Sequence, residues 1–310
     1  MARMRDGASR TSVLIAAVFA ASAAQAQNDA GEREDAAARD ADTIIVTATR
    51  VEKPITAIPN TVKVLDRGTI EQQLTVSTSL LDSLSFSIPS LTPGRQKLTS
   101  SSVTLRGRTP LYLVDGVPQS TPLRNGERSG FTIDPAFVDR VEVIYGANAI
   151  QGVGATGGVI NTVTVSPAAS GEPLLEVSAG LTTDDFEDDG LHYRLTGLAG
   201  QSFGAADGVI GVALEQRGLY YSGDDNPVAV DPIQGDLADS LSGNLFGKFG
   251  YNLDADRRLE VTGNYFKLEG DGDYIRVAGD RDAGVPATSE RGDPDGDPTY
   301  NEAVNLALSY

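Results

Sequence analysis

After Gly171 the chain falls into six segments of roughly ten residues in which apolar and polar side chains alternate, the period of a strand with two unlike faces. Leu175, Val177, Ala179 and Leu181 alternate with Glu176, Ser178 and Gly180, and Leu191, Tyr193, Leu195 and Ala199 with His192, Arg194 and Thr196. Ile210, Val212 and Leu214 lead to Glu215 and Arg217 on the opposite face. Leu241, Leu245, Phe249 and Tyr251 alternate with Ser242, Asn244 and Lys248. Leu259, Val261 and Tyr265 alternate with Glu260, Thr262 and Asn264, and Val304, Leu306, Leu308 and Tyr310 with Asn305 and Ser309. A soluble sandwich alternates in this way, and so does a membrane barrel. Tyr220, Tyr221, Tyr251, Tyr265 and Phe266 near segment ends favour the aromatic girdles of a barrel. Long connections rich in Asp, Gly and Pro (222–240 and 269–303) alternate with short ones (202–208 and 252–258), the pattern of a meander with its long loops outside. The connection 182–190 is short and blurs it.

The N-terminus places the product outside the cytoplasm. Arg3, Arg5 and Arg10 precede an apolar run from Ser12 to Ala24 that is too short to span a bilayer, and Ala24-Gln-Ala26 fits a cleavage site. Residues 1–26 therefore read as a secretory signal peptide, with the mature chain beginning at Gln27. No later segment has the ~18 apolar residues of a membrane helix. An exported chain of this kind that crosses a membrane does so as a β-barrel.

Composition excludes much else. With 43 acidic against 25 basic residues the net charge is -18, which argues against nucleic acid as a partner. The absence of cysteine removes disulfides, Cys-zinc sites and thiol catalysis. The single histidine, His192, reads as a polar strand residue. No nucleophile and base stand together, so the chain is not read as an enzyme, and no catalytic, cofactor-binding or metal residue is assigned. Gly152-Val-Gly-Ala-Thr-Gly157 fits a dinucleotide fingerprint but runs straight into a β-branched strand rather than a helix. Asp271, Asp273, Asp280, Asp293, Asp295 and Asp297 are candidates to bind calcium in an external loop, but they lack an EF-hand's glycine and closing glutamate and read rather as solvated acidic loops.

The middle of the chain is a different material. Residues 27–42 hold no apolar residue larger than alanine and read as a disordered tether. A β-branched run, Thr43-Ile44-Ile45-Val46-Thr47-Ala48, follows and is cut off from the rest by Pro54 and Pro59. Its position suits an extended peptide that adds to another protein's sheet edge. The spacing predicts a strand over 60–66, a helix over 67–74 capped by Asp66, and a helix over 77–84 with Ser79 and Asp82 at capping-box spacing. Four short strands are expected at 103–107, 111–118, 137–146 and 157–164, with Asp115-Gly116 as a turn.

Four ordered motifs give this region a family likeness. Leu105-Arg-Gly107, Leu113-Val-Asp-Gly-Val-Pro118, Asp139-Arg-Val-Glu-Val-Ile144 and Gly157-Gly-Val-Ile-Asn-Thr162 resemble those of the TonB-dependent outer-membrane receptors. Tyr145-Gly-Ala147 stands where the family usually has Arg-Gly-Pro, and Val165 where a lysine is usual. These departures bear on the plug's contacts to the barrel rather than on its fold. The resemblance implies an α+β plug domain, a small mixed sheet with short helices, over 60–167. The tether of 27–59 precedes it, with the TonB box at 43–48. Antiparallel transmembrane β-barrel strands follow over 171–310. Such a barrel has roughly 22 strands, so an incomplete barrel is expected, from an N-terminal fragment or a truncated gene product.

The resemblance also implies function. The chain would sit in the cell outer membrane among its lipids and take up a scarce ligand. A TonB-type energy-transducing protein of the inner membrane would pull on the box. Arg95, Lys97, Arg124 and Arg128 are expected in plug loops facing the ligand, and Arg106, Arg140 and Glu142 at plug–barrel contacts. From Arg95 to Arg128 six basic residues face only Asp115 and Glu127, which suits an anionic iron chelate such as a ferric siderophore. Arg106 and Arg108 paired with wall carboxylates such as Glu176, Glu215 and Glu260 is the structural alternative. Cobalamin, haem or a glycan are the other ligands that the resemblance allows, and a soluble exported β-rich binding protein is the other class.

Overall fold

The computed structural model describes residues 45–47, 53–54, 58–77, 79–119, 129–148, 154–167, 171–183, 188–231 and 233–310. The leader, residues 27–42 of the tether, Thr43, Ile44, Ala48, Arg124 and Arg128 lie outside them. Strands β1 (Ile45–Val46) and β2 (Lys53–Pro54) pair antiparallel as a small unit of their own. Thr47 and everything from Ile58 onward form the other unit.

Strand β3 (Val62–Asp66) runs directly into helix α1 (Arg67–Leu74). Asp66 makes that junction, since its Oδ1 accepts the Thr69 amide at 2.7 Å and satisfies a donor that the first helical turn leaves open. Helix α2 (Leu80–Ser87) buries Leu80, Leu81 and Leu84. Ser79 is its N-cap residue, but the hydroxyl makes no capping bond. The expected reciprocal capping box is not formed; the buried Asp82 carboxylate accepts from Gln96 Nε2 at 2.6 Å and from Ser77 Oγ at 3.5 Å.

A five-stranded mixed sheet follows, in the order β3, β6 (Val138–Tyr145), β7 (Gly158–Thr164), β4 (Pro110–Val114), β5 (Val117–Pro118). β4 and β7 are parallel, and the other neighbours are antiparallel. Asp115 and Gly116 both have positive φ (46° and 78°), as a two-residue hairpin turn between β4 and β5 demands. The core is built from Leu65, Ile70, Leu84, Ile88, Val141, Val143 and Ile160, with the two helices lying on the sheet.

The strand expected at 103–107 is absent. Ser102, Arg106 and Gly107 adopt positive φ (69°, 54° and 72°), so the backbone turns on either side of Leu105, which is fully buried and bridges Leu91 and Arg108. This knot is what requires glycine at two successive positions. A Cβ on Gly157 would meet the carbonyl oxygens of Arg108 at 2.5 Å and Leu105 at 2.8 Å, and one on Gly158 would meet that of Ile144 at 2.3 Å.

All six alternating segments form strands: β8 (Leu174–Thr183), β9 (Leu191–Phe203), β10 (Ala206–Arg217), β11 (Ser240–Asn252), β12 (Arg258–Gly270) and β15 (Tyr300–Ser309). They make one antiparallel meander, open between the edges β8 and β15. A hairpin of β13 (Tyr274–Val277) and β14 (Thr288–Arg291) occupies the connection to β15.

The alternation is inside out relative to a soluble sheet. On β11, Leu241, Leu245 and Phe249 are exposed while Ser242, Asn244 and Lys248 are buried. On β10, Ile210, Val212 and Leu214 face out while Glu215 (1% exposed) and Arg217 face in. A sheet folded for water buries its apolar face, and this one presents that face outward, as a lipid-facing barrel wall does. Tyr251 and Tyr265 stand on the outer face as expected of girdle residues, but Phe266 does not. It points inward and packs with Leu98, Leu237 and Leu268. Phe246, also inward, stacks on Phe137 with ring centroids 5.3 Å apart, fastening the mixed sheet to the meander.

Replacing Gly158 by alanine puts a methyl group against a backbone oxygen at φ 143°. The cost is on the order of 2 kcal/mol. The unfolding midpoint of the detergent-solubilised protein should fall by about 5 °C. Gly180→Ala, which meets nothing within 4 Å, should leave it unchanged.

Candidate functional sites on the two ends of the plug

The connections β10–β11 (218–239) and β12–β15 (271–299) are long and leave the meander at one end, while β9–β10 and β11–β12 turn tightly at the other. At the short end Arg258 forks onto Asp207 with Nη1 and Nη2 at 2.6 and 2.8 Å. At the long end lies the plug loop that carries Arg95 and Lys97.

These two cations are not bare. Lys97 Nζ is paired with Asp231 at 3.2 Å and with Asp236, and Arg95 donates to Gln234 Oε1 at 3.0 Å and to the Ser101 carbonyl at 3.2 Å. Lys97 thus serves as a contact between the plug loop and the β10–β11 connection, and its charge is already matched. Arg95 stays exposed. Tyr220 donates its hydroxyl to Gln96 Oε1 at 3.2 Å, so the rim of this end joins loop to loop. Gln96 also reaches Asp82, whose carboxyl burial pushes above the ordinary aspartate range.

The expected plug–barrel cations are placed elsewhere. Arg106 lies over the Tyr145 ring at 4.6 Å, within the plug itself. Glu176 pairs with Arg67, Glu260 with Arg258, and Glu215 with His192, Arg194 and Arg217, so neither Arg106 nor Arg108 holds these carboxylates. Arg140 pairs with Asp139 at 3.1 Å and with Glu142 at 3.0 Å, again inside the plug.

The contacts that do join plug to meander were not legible in single residues. Asp134 caps a short helical turn through the Ala136 amide and pairs with Arg194. Asp115, the hairpin turn residue, accepts from the Thr164 amide at 2.8 Å and hydroxyl at 2.6 Å, and pairs with Lys248 at 3.1 Å. Asn244 Oδ1 accepts the Asp134 amide at 2.6 Å, while Asn264 and Asn301 donate to the carbonyls of Thr132 and Phe131. Inward Asn and Lys on an alternating strand were the available sign, but their partners sit more than 80 residues away.

Glu142 has a different neighbour. Its carboxylate, fully buried, accepts the Thr47 amide at 3.1 and 3.0 Å and the Thr47 hydroxyl at 3.2 Å. Asn161 Nδ2 donates to both Glu142 Oε2 at 3.0 Å and Thr47 Oγ1 at 3.2 Å. The third strand motif and the fourth therefore meet over one residue of the β-branched run.

A carboxylate that the sequence reading did not group with them joins Asp271 and Asp273. Asp239, at φ 51°, joins Asp271 and Asp273 with oxygens within 4.8 Å of one another. Burial, with the two neighbouring charges adding to it, pushes the Asp239 carboxyl up to about 6.

A plug-like mixed sheet fastened to an inside-out antiparallel wall defines a class of outer-membrane receptor. Residues 54–159 match the TonB-dependent Receptor Plug Domain family. The chain is 32% identical over 274 residues to the rhizobactin receptor of Rhizobium meliloti, covering 87% of this chain and 36% of that protein. It is 31% identical over 233 residues to the ferric aerobactin receptor of Klebsiella pneumoniae, covering 75% of this chain and 31% of that one. The ferric yersiniabactin uptake receptor of Yersinia pestis shares the fold, with a TM-score of 0.57 at 19% identity over 82% of this chain and 39% of that one. The chain belongs to the TonB-dependent receptors, whose members are outer-membrane proteins, and it is not an enzyme. It spans about a third of the length of these relatives.

Removing the carboxylate that holds Thr47 should release its amide. In Glu142→Ala, hydrogen exchange at Thr47 should quicken by about tenfold or more while β6 and β7 stay protected. Unchanged exchange at Thr47 would show that the bond carries no weight. A second expectation concerns pH. Asp239 in the fold holds its proton to about 6 against an unfolded value near 3.8. Its contribution is therefore full below the unfolded value and is lost as pH rises through 6. Protection factors at Asp271 and Asp273, whose amides bond Asp239, should fall between pH 5 and 7, and Asp239→Asn should flatten that dependence.

Proposed function

We propose that this chain is the plug and part of the wall of a receptor that takes up an anionic ferric siderophore across the outer membrane. The energy comes from a TonB-type partner acting on residues 43–48. The observation that carries this reading is the likeness to the rhizobactin receptor, which runs through both the plug and the strands rather than through the plug alone. The inside-out alternation supports a lipid setting. The exposed Arg95 at the long-connection end supports an anionic ligand, and Arg124 and Arg128 belong to the same reading.

The box works by backbone pairing in this reading. An extended segment that adds to a sheet edge needs its amides more than its side chains. Among the described residues of the segment, Thr47 bonds Glu142 and Asn161 of the plug, so in this reading a pull on 43–48 is passed to that pair.

The test is binding and uptake of radio-iron-labelled ferric aerobactin and rhizobactin by the same cells, with haem and cobalamin as competitors. The receptor should accumulate a ferric siderophore, and neither competitor should displace it. Accumulation of haem or cobalamin with no siderophore would sink the ligand assignment. Val46→Pro removes a donor and fixes φ, so it should abolish uptake and leave binding intact. A proline variant that transports at the parental rate would show that the segment is only a connector.

A further inference from the structure

The plug loop and the β10–β11 connection are joined by more than side chains. Lys97 and Asp236 form an antiparallel bridge. The Leu98 amide donates to the Gly235 carbonyl at 3.2 Å, and the Leu237 amide donates to the Gln96 carbonyl at 2.9 Å. Two residues of each partner thus make a miniature ladder between segments 139 positions apart. Its inner face is dry: Leu98, Leu237, Phe266 and Leu268 pack together, none more than 6% exposed. Its outer face is the Lys97–Asp231–Asp236 cluster, with Arg95 on Gln234 beside it.

Both backbones are shaped for this contact. Gln96 takes φ 56° and Gly235 φ 69°. A Cβ on Gly235 would strike Leu98 Cδ1 at 2.8 Å. Asp231 prepares the loop, accepting the Ile233 amide at 2.9 Å and the Gln234 amide at 3.2 Å through Oδ1, so that Gly235 and Asp236 arrive in register. Beyond the bridge the same connection is held to the β13–β14 hairpin. Thr288 donates to the Pro227 carbonyl, Ser289 donates to the Val228 carbonyl, and the Val230 amide donates to Ser289.

We infer that the bridge between Gln96–Leu98 and Gly235–Leu237 is a permanent fastening. This corner of the plug stays seated against the wall while ligand passes, and Lys97 is its positioning residue rather than a cation offered to ligand. Displacement of the plug is then confined to the parts that lack such a ladder. The claim that ligand passes at all rests on the uptake reading above, and the fastening itself does not.

The chain has no cysteine, so a pair can be introduced cleanly. Bridged residues in an antiparallel ladder have Cα atoms about 4.5–5.5 Å apart, inside the range of a disulfide. In the folded receptor, Lys97→Cys with Asp236→Cys should oxidise to a crosslink. Crosslinked receptor should take up ferric aerobactin at the rate measured after reduction. Failure to crosslink, or a crosslinked receptor that binds siderophore and transports it only after reductant, overturns the fastening. A ligand-free arm separates this from the uptake reading. In Gly235→Val, hydrogen exchange should quicken by about tenfold or more in both 95–98 and 229–237, with β6 and β7 unchanged. Quickening on the loop side alone overturns the inference. A receptor that takes up no ferric siderophore in any form defeats the uptake reading, and this arm still decides the fastening.

Discussion

Asn244, Asn264 and Asn301 stand on three neighbouring strands, and each commits its amide to the same short stretch of plug backbone, Phe131–Asp134. Asn244 also donates to Asn264 Oδ1 and to the Tyr265 carbonyl, both at 2.7 Å. The rest of the molecule depends on this kind of exchange. A wall whose apolar side chains face outward must turn its polar ones inward, and a polar group shut away from water costs about 1–3 kcal/mol unless it is bonded. The plug supplies the partners. Beside the apolar contacts of Phe137 and Leu98, it brings loop backbone and turn carboxylates to the wall's inward face, so each half satisfies groups that the other would leave bare.

The division between what could be read in advance and what could not follows sequence distance. Asp66 as a cap, Asp115-Gly116 as a turn and the six alternating strands are local matters, settled by a handful of adjacent residues. The run Val103–Gly107 has strand composition, but Leu105 is wanted as a single buried peg, and the turns on either side of it override propensity. Phe266 was read as a girdle residue because it ends a segment. Its face is decided by register with β11 and by Leu98 on a distant loop. Charge and the topology that the family likeness implies point Lys97 toward ligand. The two aspartates that claim it arrive from a connection whose path no periodicity describes. Arg106, Arg140 and Glu142 lie in family motifs, and the likeness located the motifs but not which surface each side chain serves.

The plug's contacts differ in kind. Toward the long connections it is held by a ladder, a dry leucine–phenylalanine cluster and ion pairs, all in parallel. Among the described residues, Thr47 is bonded by the Glu142 carboxylate and the Asn161 carboxamide. Local opening follows the weakest cooperative unit and not the average.

Asp115 and Lys248 illustrate what the arrangement demands over longer times. The lysine is almost wholly buried on the wall, and the aspartate belongs to a turn in the plug. Either one lost alone leaves a charge stranded in a poorly hydrated interior, which is far worse than losing both. Drift at these two positions is therefore expected to be joint: lineages in which position 115 becomes neutral should also have shed the cation at 248, and recombination that swaps plugs between receptors should succeed only where this pair travels together.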